Sequence, residues 1–141
     1  MAYYQTTARV DSIMENGEQK KVTEKYLADA LGCLDAIART TAELHSTNNG
    51  EFEITEVKKT PIAEAFGNLE ADKFFFARVN FIQLDEKSGK EKKSRSLWLI
   101  GADEYDIAKA VLTDEIKNFV GDIEIAGLVE STIVGFIPAK L

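Results

Sequence analysis

Aromatic rings and cations alternate along two extended stretches of this sequence, and together they could do chemistry at a surface. Tyr3, Gln5, Thr7 and Arg9 share one parity of an N-terminal run, and Phe74, Phe76, Arg78 and Asn80 share one parity of a second. Side chains alternate across a strand, so each set lies on one face. Rings that stack on bases, set beside guanidiniums that hold phosphates, are what single-stranded nucleic acid requires of an open sheet. Lys87, Lys90, Lys92, Lys93 and Arg95 follow and outnumber Asp85, Glu86 and Glu91, with Trp98 just beyond. The candidate contacts are therefore Phe74, Phe76 and Trp98 for bases and Arg9, Arg78, Lys92, Lys93 and Arg95 for phosphates.

Other chemistry is poorly provided for. A nucleophile needs a neighbouring base, yet the one cysteine, Cys33, is expected as a small buried residue at a strand-to-helix junction. The one histidine, His45, falls late in a helical stretch. One cysteine and one histidine cannot make a Cys/His zinc cluster, and one cysteine cannot make an internal disulfide. Glu51, Glu53, Asp122 and Glu124 could pair over a metal, but they alternate with Phe52, Ile54, Ile123 and Ile125, which marks a solvated strand face. No P-loop, dinucleotide fingerprint or H-E-x-x-H is present. The expectation is a protein without catalytic residues, metal or cofactor.

The formal charge is −7, so a polyanion would be repelled except at a local cluster of bases. Hydrophobic residues make up 45% of 141, enough for a core without disulfide or metal support. Met1-Ala2-Tyr3-Tyr4-Gln5 has neither a basic start nor an apolar run, and no apolar stretch reaches the ~18 residues of a membrane span. A cytoplasmic protein away from the membrane is expected.

The elements that must position these residues occur twice. Glu51-Phe52-Glu53-Ile54 matches Asp122-Ile123-Glu124-Ile125 at an offset of 122 − 51 = 71, and Val57, Thr60 and Ile62 continue onto Leu128, Ser131 and Ile133. Ala8-Arg9-Val10 recurs as Ala77-Arg78-Val79, 69 positions on, and Tyr26-Leu27 as Trp98-Leu99, 72 positions on. In each half an alternating strand leads to a turn, Asn16-Gly17 or one around Gly89, and a second strand returns. Leu34, Ile37, Ala38 and Thr41, and later Glu104, Ile107, Ala108 and Val111 with Leu112, then mark amphipathic helices. Asp103 suits the second N-cap. Gly50 and Gly121 precede a third strand, and Pro61 falls at a strand end, where its missing N–H is tolerable.

The fold class expected is α+β: two tandem β-β-α-β units, residues 1–69 and 70–141, in one pseudo-twofold domain. A right-handed crossover puts the first strand of each unit between the other two. Joined through Gly67 to Asp72, the halves would form one six-stranded, mostly antiparallel sheet with both helices on one face. Lys20 and Lys21 stand where Lys92 and Lys93 stand in the second half.

Three runs carry a resemblance: Lys20-Lys21-Val22-Thr23-Glu24-Lys25-Tyr26-Leu27-Ala28-Asp29-Ala30, Phe52-Glu53-Ile54-Thr55-Glu56-Val57, and Val79 through Lys93. Together they resemble a small family catalogued as a domain of unknown function and encoded by bacteria and tailed phages. The resemblance spans most of the chain and implies a phage-associated context, with no catalytic residues attached.

The reading is a non-enzymatic protein that binds single-stranded DNA or RNA. One rival is a phage-type protein that sequesters a small ligand such as a signalling nucleotide, at a seam between the halves or between two chains. Another is a module that forms a homodimer, or meets a protein partner, through the aromatic sheet face.

Overall fold

A computed structural model describes residues 2–13, 15–47 and 51–139; Gly50 lies outside them. In chain order its elements are β1 (Ala2–Ile13), β2 (Gln19–Ala30), α1 (Cys33–Thr47), β3 (Phe52–Lys59), β4 (Ile62–Gly67), β5 (Phe74–Leu84), β6 (Glu91–Gly101), α2 (Tyr105–Ile116), β7 (Asp122–Glu130) and β8 (Ile133–Ile137). The tight turns form where Gly17 and Gly89 supply φ of 84° and 70°.

The class is α+β, but the strands make two mixed sheets, ordered β3-β1-β2-β8 and β4-β6-β5-β7, instead of one six-stranded sheet. As the crossover rule requires, β1 and β5 each lie between an antiparallel hairpin partner and an antiparallel third strand. The unforeseen elements are β4 and β8. After Thr60 and Pro61 the chain leaves β3 and pairs with β6, and after Ser131 and Thr132 it leaves β7 and pairs with β2, both in parallel. Strands of six and five residues hold too few alternations to register as a pattern, and their partners lie far off in sequence. Backbone contacts accordingly define two compact units, Met1–Thr60 with Thr132–Leu141, and Pro61–Ser131.

Local irregularities recur in both units. Thr55 and Ala126 are passed over in pairing with the central strand, and Ala63 and Val134 in the parallel pairing. Thr60 donates its N–H and its hydroxyl to the Tyr3 carbonyl, at 3.0 and 2.8 Å. Ser131 does the same to the Phe74 carbonyl, at 2.8 Å each. In this register Arg78 holds in the second sheet the position that Thr7 holds in the first, and Asn80 that of Arg9. The Ala-Arg-Val match is two residues out, an even slip that keeps each face and loses the rung.

One helix covers one face of each sheet. In the first unit Ala8, Val10 and Leu44 pack with Val22, Phe52 and Ile54, while Tyr4, Ala28, Ala30, Ala36 and Ile137 form an adjoining cluster. In the second, Phe75, Ala77, Val79, Trp98, Ile100, Ala108 and Leu112 form one larger core. α2 buries Ala108 and Leu112 of its expected stripe, with Ile107 exposed, whereas the α1 stripe is displaced. α1 buries Ala36, Thr40 and Leu44, whereas Leu34 is 84% exposed. Small side chains let the helix sit close, and the Thr40 hydroxyl meets that of Thr6 at 2.9 Å, so a threonine outside the expected stripe is buried with its polar atom partnered.

Cys33 is exposed and not buried, because burial on α1 begins a turn later at Ala36. At the start of α1, Asp35 accepts hydrogen bonds from the Leu31 N–H and from Arg39, both at 2.9 Å, which hold its carboxyl below the usual range. α2 begins after Glu104, not Asp103, without a side-chain cap. Among the described residues no helix is long and apolar enough to cross a membrane.

Candidate nucleic-acid interface

The face of the second sheet that points away from α2 is built by β5 and β6, which pair without a bulge; Phe74 and Leu99 on it are fully buried, and exposure begins at Arg78. Phe76, Arg78, Asn80 and Ile82 on β5 stand opposite Leu99, Leu97, Arg95 and Lys93 on β6. β7 sets Val129 beside Phe76, Gly127 beside Arg78 and Glu124 beside Asn80. Phe76 is half-buried, while Arg78, Lys93 and Arg95 are exposed. Gly127 has open space where a side chain would be, which leaves the Arg78 guanidinium uncovered on that flank.

Beyond the arginines lies a polar cluster. The Glu124 carboxylate accepts from Lys93 Nζ at 3.1 Å and from Asn80 Nδ2 at 3.4 Å. Those hydrogen bonds, Lys93 first, hold the Glu124 carboxyl below its ordinary range. No ion pair engages Arg78 or Arg95 among the described residues.

Of the eight candidate contacts, Phe76, Arg78, Lys93 and Arg95 come together on this face. Phe74 shares their parity but is fully buried, with its ring against Gly101. Trp98 points to the helix side at 1% exposure, stacked on Phe119 at 5.2 Å and edge-on to Phe66 and Phe81. Neither ring offers a base a free face. Lys92, opposite Gln83, has the parity of Trp98 and so lies on the helix side. Arg9 belongs to the first unit, where it is exposed across from Glu53. With Asp11, Lys21, Glu51 and Phe52 these two line a depression of about 130 Å³.

Sequence reasoning put Glu124 on a solvated face, where it is, but missed its link to Lys93 and Asn80. That link depends on the lateral pairing of three strands, which periodicity does not report. Elsewhere, His45 ends α1 as expected and meets Phe52 edge-on at 5.0 Å. Cys33 is twelve residues before it on the same helix, about 18 Å away by helical rise, so the two cannot act as nucleophile and base. Among the described residues no group of three or more His, Cys, Asp or Glu could hold a metal ion.

No curated protein and no solved structure is significantly similar to the chain. A family described as "Domain of unknown function (DUF4494)" matches residues 2–139, nearly the whole chain, and the protein belongs to that family.

Proposed function

We propose that the protein is a non-enzymatic, cytoplasmic binding protein that takes single-stranded nucleic acid on the helix-free face of its second sheet, at the exposed end of β5 and β6. Phe76 offers the ring for a base, and Arg78, Arg95 and Lys93 take successive phosphates. One observation carries the reading: two exposed guanidiniums, neither ion-paired among the described residues, lie on the same face of β5 and β6 as a half-buried ring. In a chain of charge −7 such a pair is a local exception. The bulges and crossing hydrogen bonds repeated in both units also support a tandem duplication. The second half then carries the binding face, since Gln5 and Thr7 hold in the first sheet the positions that Phe76 and Arg78 hold in the second. A phage or mobile-element setting belongs to the same proposal and is supported by the resemblance of the three runs quoted above.

Fluorescence anisotropy of a labelled oligonucleotide against salt tests it. Log affinity should fall linearly with log salt, and Arg78→Ala should reduce the slope by roughly 0.7 while weakening binding. Absence of binding at low salt, or affinity indifferent both to salt and to loss of Arg78, would end the reading. Exposed Val129 beside Phe76 favours a second reading, an interface with another protein or a second copy. Light scattering on Phe76→Asp decides that one: a dimer that dissociates supports it.

A further inference from the structure

We propose that Glu124 is a built-in competitor for phosphate, occupying Lys93 and Asn80 in the free protein so that a nucleic-acid strand must displace it. This rests on the nucleic-acid reading above. Glu124 lies on β7 and Lys93 on β6, on opposite flanks of β5, so the two side chains reach over the central strand to meet at 3.1 Å. The same carboxylate oxygen takes the Asn80 amide at 3.4 Å. One anionic oxygen held by an ammonium and an amide N–H is the contact a phosphate oxygen would make.

The placement of these three residues, though not the ion pair, recurs among the described residues of the first sheet. There Glu53, on β3, stands opposite Arg9 on β1, with Lys21 of β2 on the wall of the same depression. Glu53 and Glu124 are 71 positions apart, and Lys21 and Lys93 are 72 apart. Both sheets thus set an outer-strand glutamate against a donor on the central strand and a lysine beyond it. On the second sheet Arg78 and Arg95 make no ion pair among the described residues, so they meet the ligand first and Lys93 joins only when Glu124 yields.

The test is anisotropy of a labelled oligothymidylate at low salt with the full chain. Glu124→Gln should tighten binding about two- to fivefold, the scale of an exposed ion pair. Asp122→Asn removes a nearby exposed acid that makes no ion pair with Lys93, and should give a smaller gain. In a Lys93→Met background, Glu124→Gln should give no more than Asp122→Asn. An equal gain from both acids, or a gain that survives loss of Lys93, overturns the competitor and leaves only a general charge effect. If wild type and Glu124→Gln both fail to bind, the nucleic-acid reading itself falls and the competitor with it.

Discussion

Ser131 donates both its backbone N–H and its hydroxyl to the carbonyl oxygen of Phe74, each at 2.8 Å. The contact sits where the chain leaves β7 for β8, and Thr60 makes its counterpart with Tyr3 where the chain leaves β3 for β4. Each clamps the last rung of one sheet before the strand joins the other. Ser131→Ala should cost about 1 kcal/mol, the usual net value of one hydrogen bond, read as a lower urea midpoint with unchanged slope.

Thr6 and Thr40 share a hydrogen bond between fully buried hydroxyls. Thr6→Val should cost about 1–3 kcal/mol, because it leaves the Thr40 hydroxyl without a partner. Adding Thr40→Val should recover most of that loss, and a double-mutant cycle in urea measures the coupling. Thr7 contrasts with them, since its hydroxyl is buried with no hydrogen-bond partner among the described residues. Thr7→Val should be neutral or stabilising in the same assay.

The Tyr26 hydroxyl donates to Glu24. Burial, then that hydrogen bond, then the charges of Glu24 and Glu43 push its ionisation well above the ordinary phenol value near 10. A folded-state pKa raised in this way favours the protonated form. Its contribution is fully present below pH ~10 and is lost as pH rises beyond that, because the unfolded chain gives up the proton first. The stability of wild type relative to Tyr26→Phe should therefore shrink between about pH 9 and 11. A difference that stays flat across that range would contradict the assignment.

Trp98, the one tryptophan, is enclosed by Phe66, Phe81 and Phe119. Its fluorescence should be blue-shifted and should not be quenched by an oligonucleotide that binds the helix-free face. Quenching on titration would show that the ring reaches the ligand. Trp98→Ala should cost about 3–5 kcal/mol through the cavity it leaves, with lost binding traceable to lost folding.

Much of the local structure was legible. Alternation assigned Ala8, Val10, Ala77 and Val79 to the helix side, where all four are buried, and it put Arg78 on the opposite face. Asn16-Gly17 announced its turn because only a few residue types accept positive φ. The site was legible as a face but not as a set of neighbours. Trp98 looked equivalent to Phe76 as a stacking ring until strand parity separated them, and Phe74 differs from Phe76 only in how far along the strand burial extends. The α1 stripe misled because hydropathy favours Leu34 over Ala36, while a close helix-sheet contact favours the smaller side chain.

By itself the sequence determined which residues alternate, where the chain turns, and that β1 and β5 would be central, since these depend on side-chain parity and backbone sterics over a few residues. Only the tertiary structure decided that β4 and β8 cross between sheets, that Arg78 holds in its sheet the position that Thr7 holds in the other, and that Glu124 meets Lys93 over β5. Backbone hydrogen bonds are the same for every residue type, so which strand pairs with which, and in what register, is chosen by the burial of the whole unit.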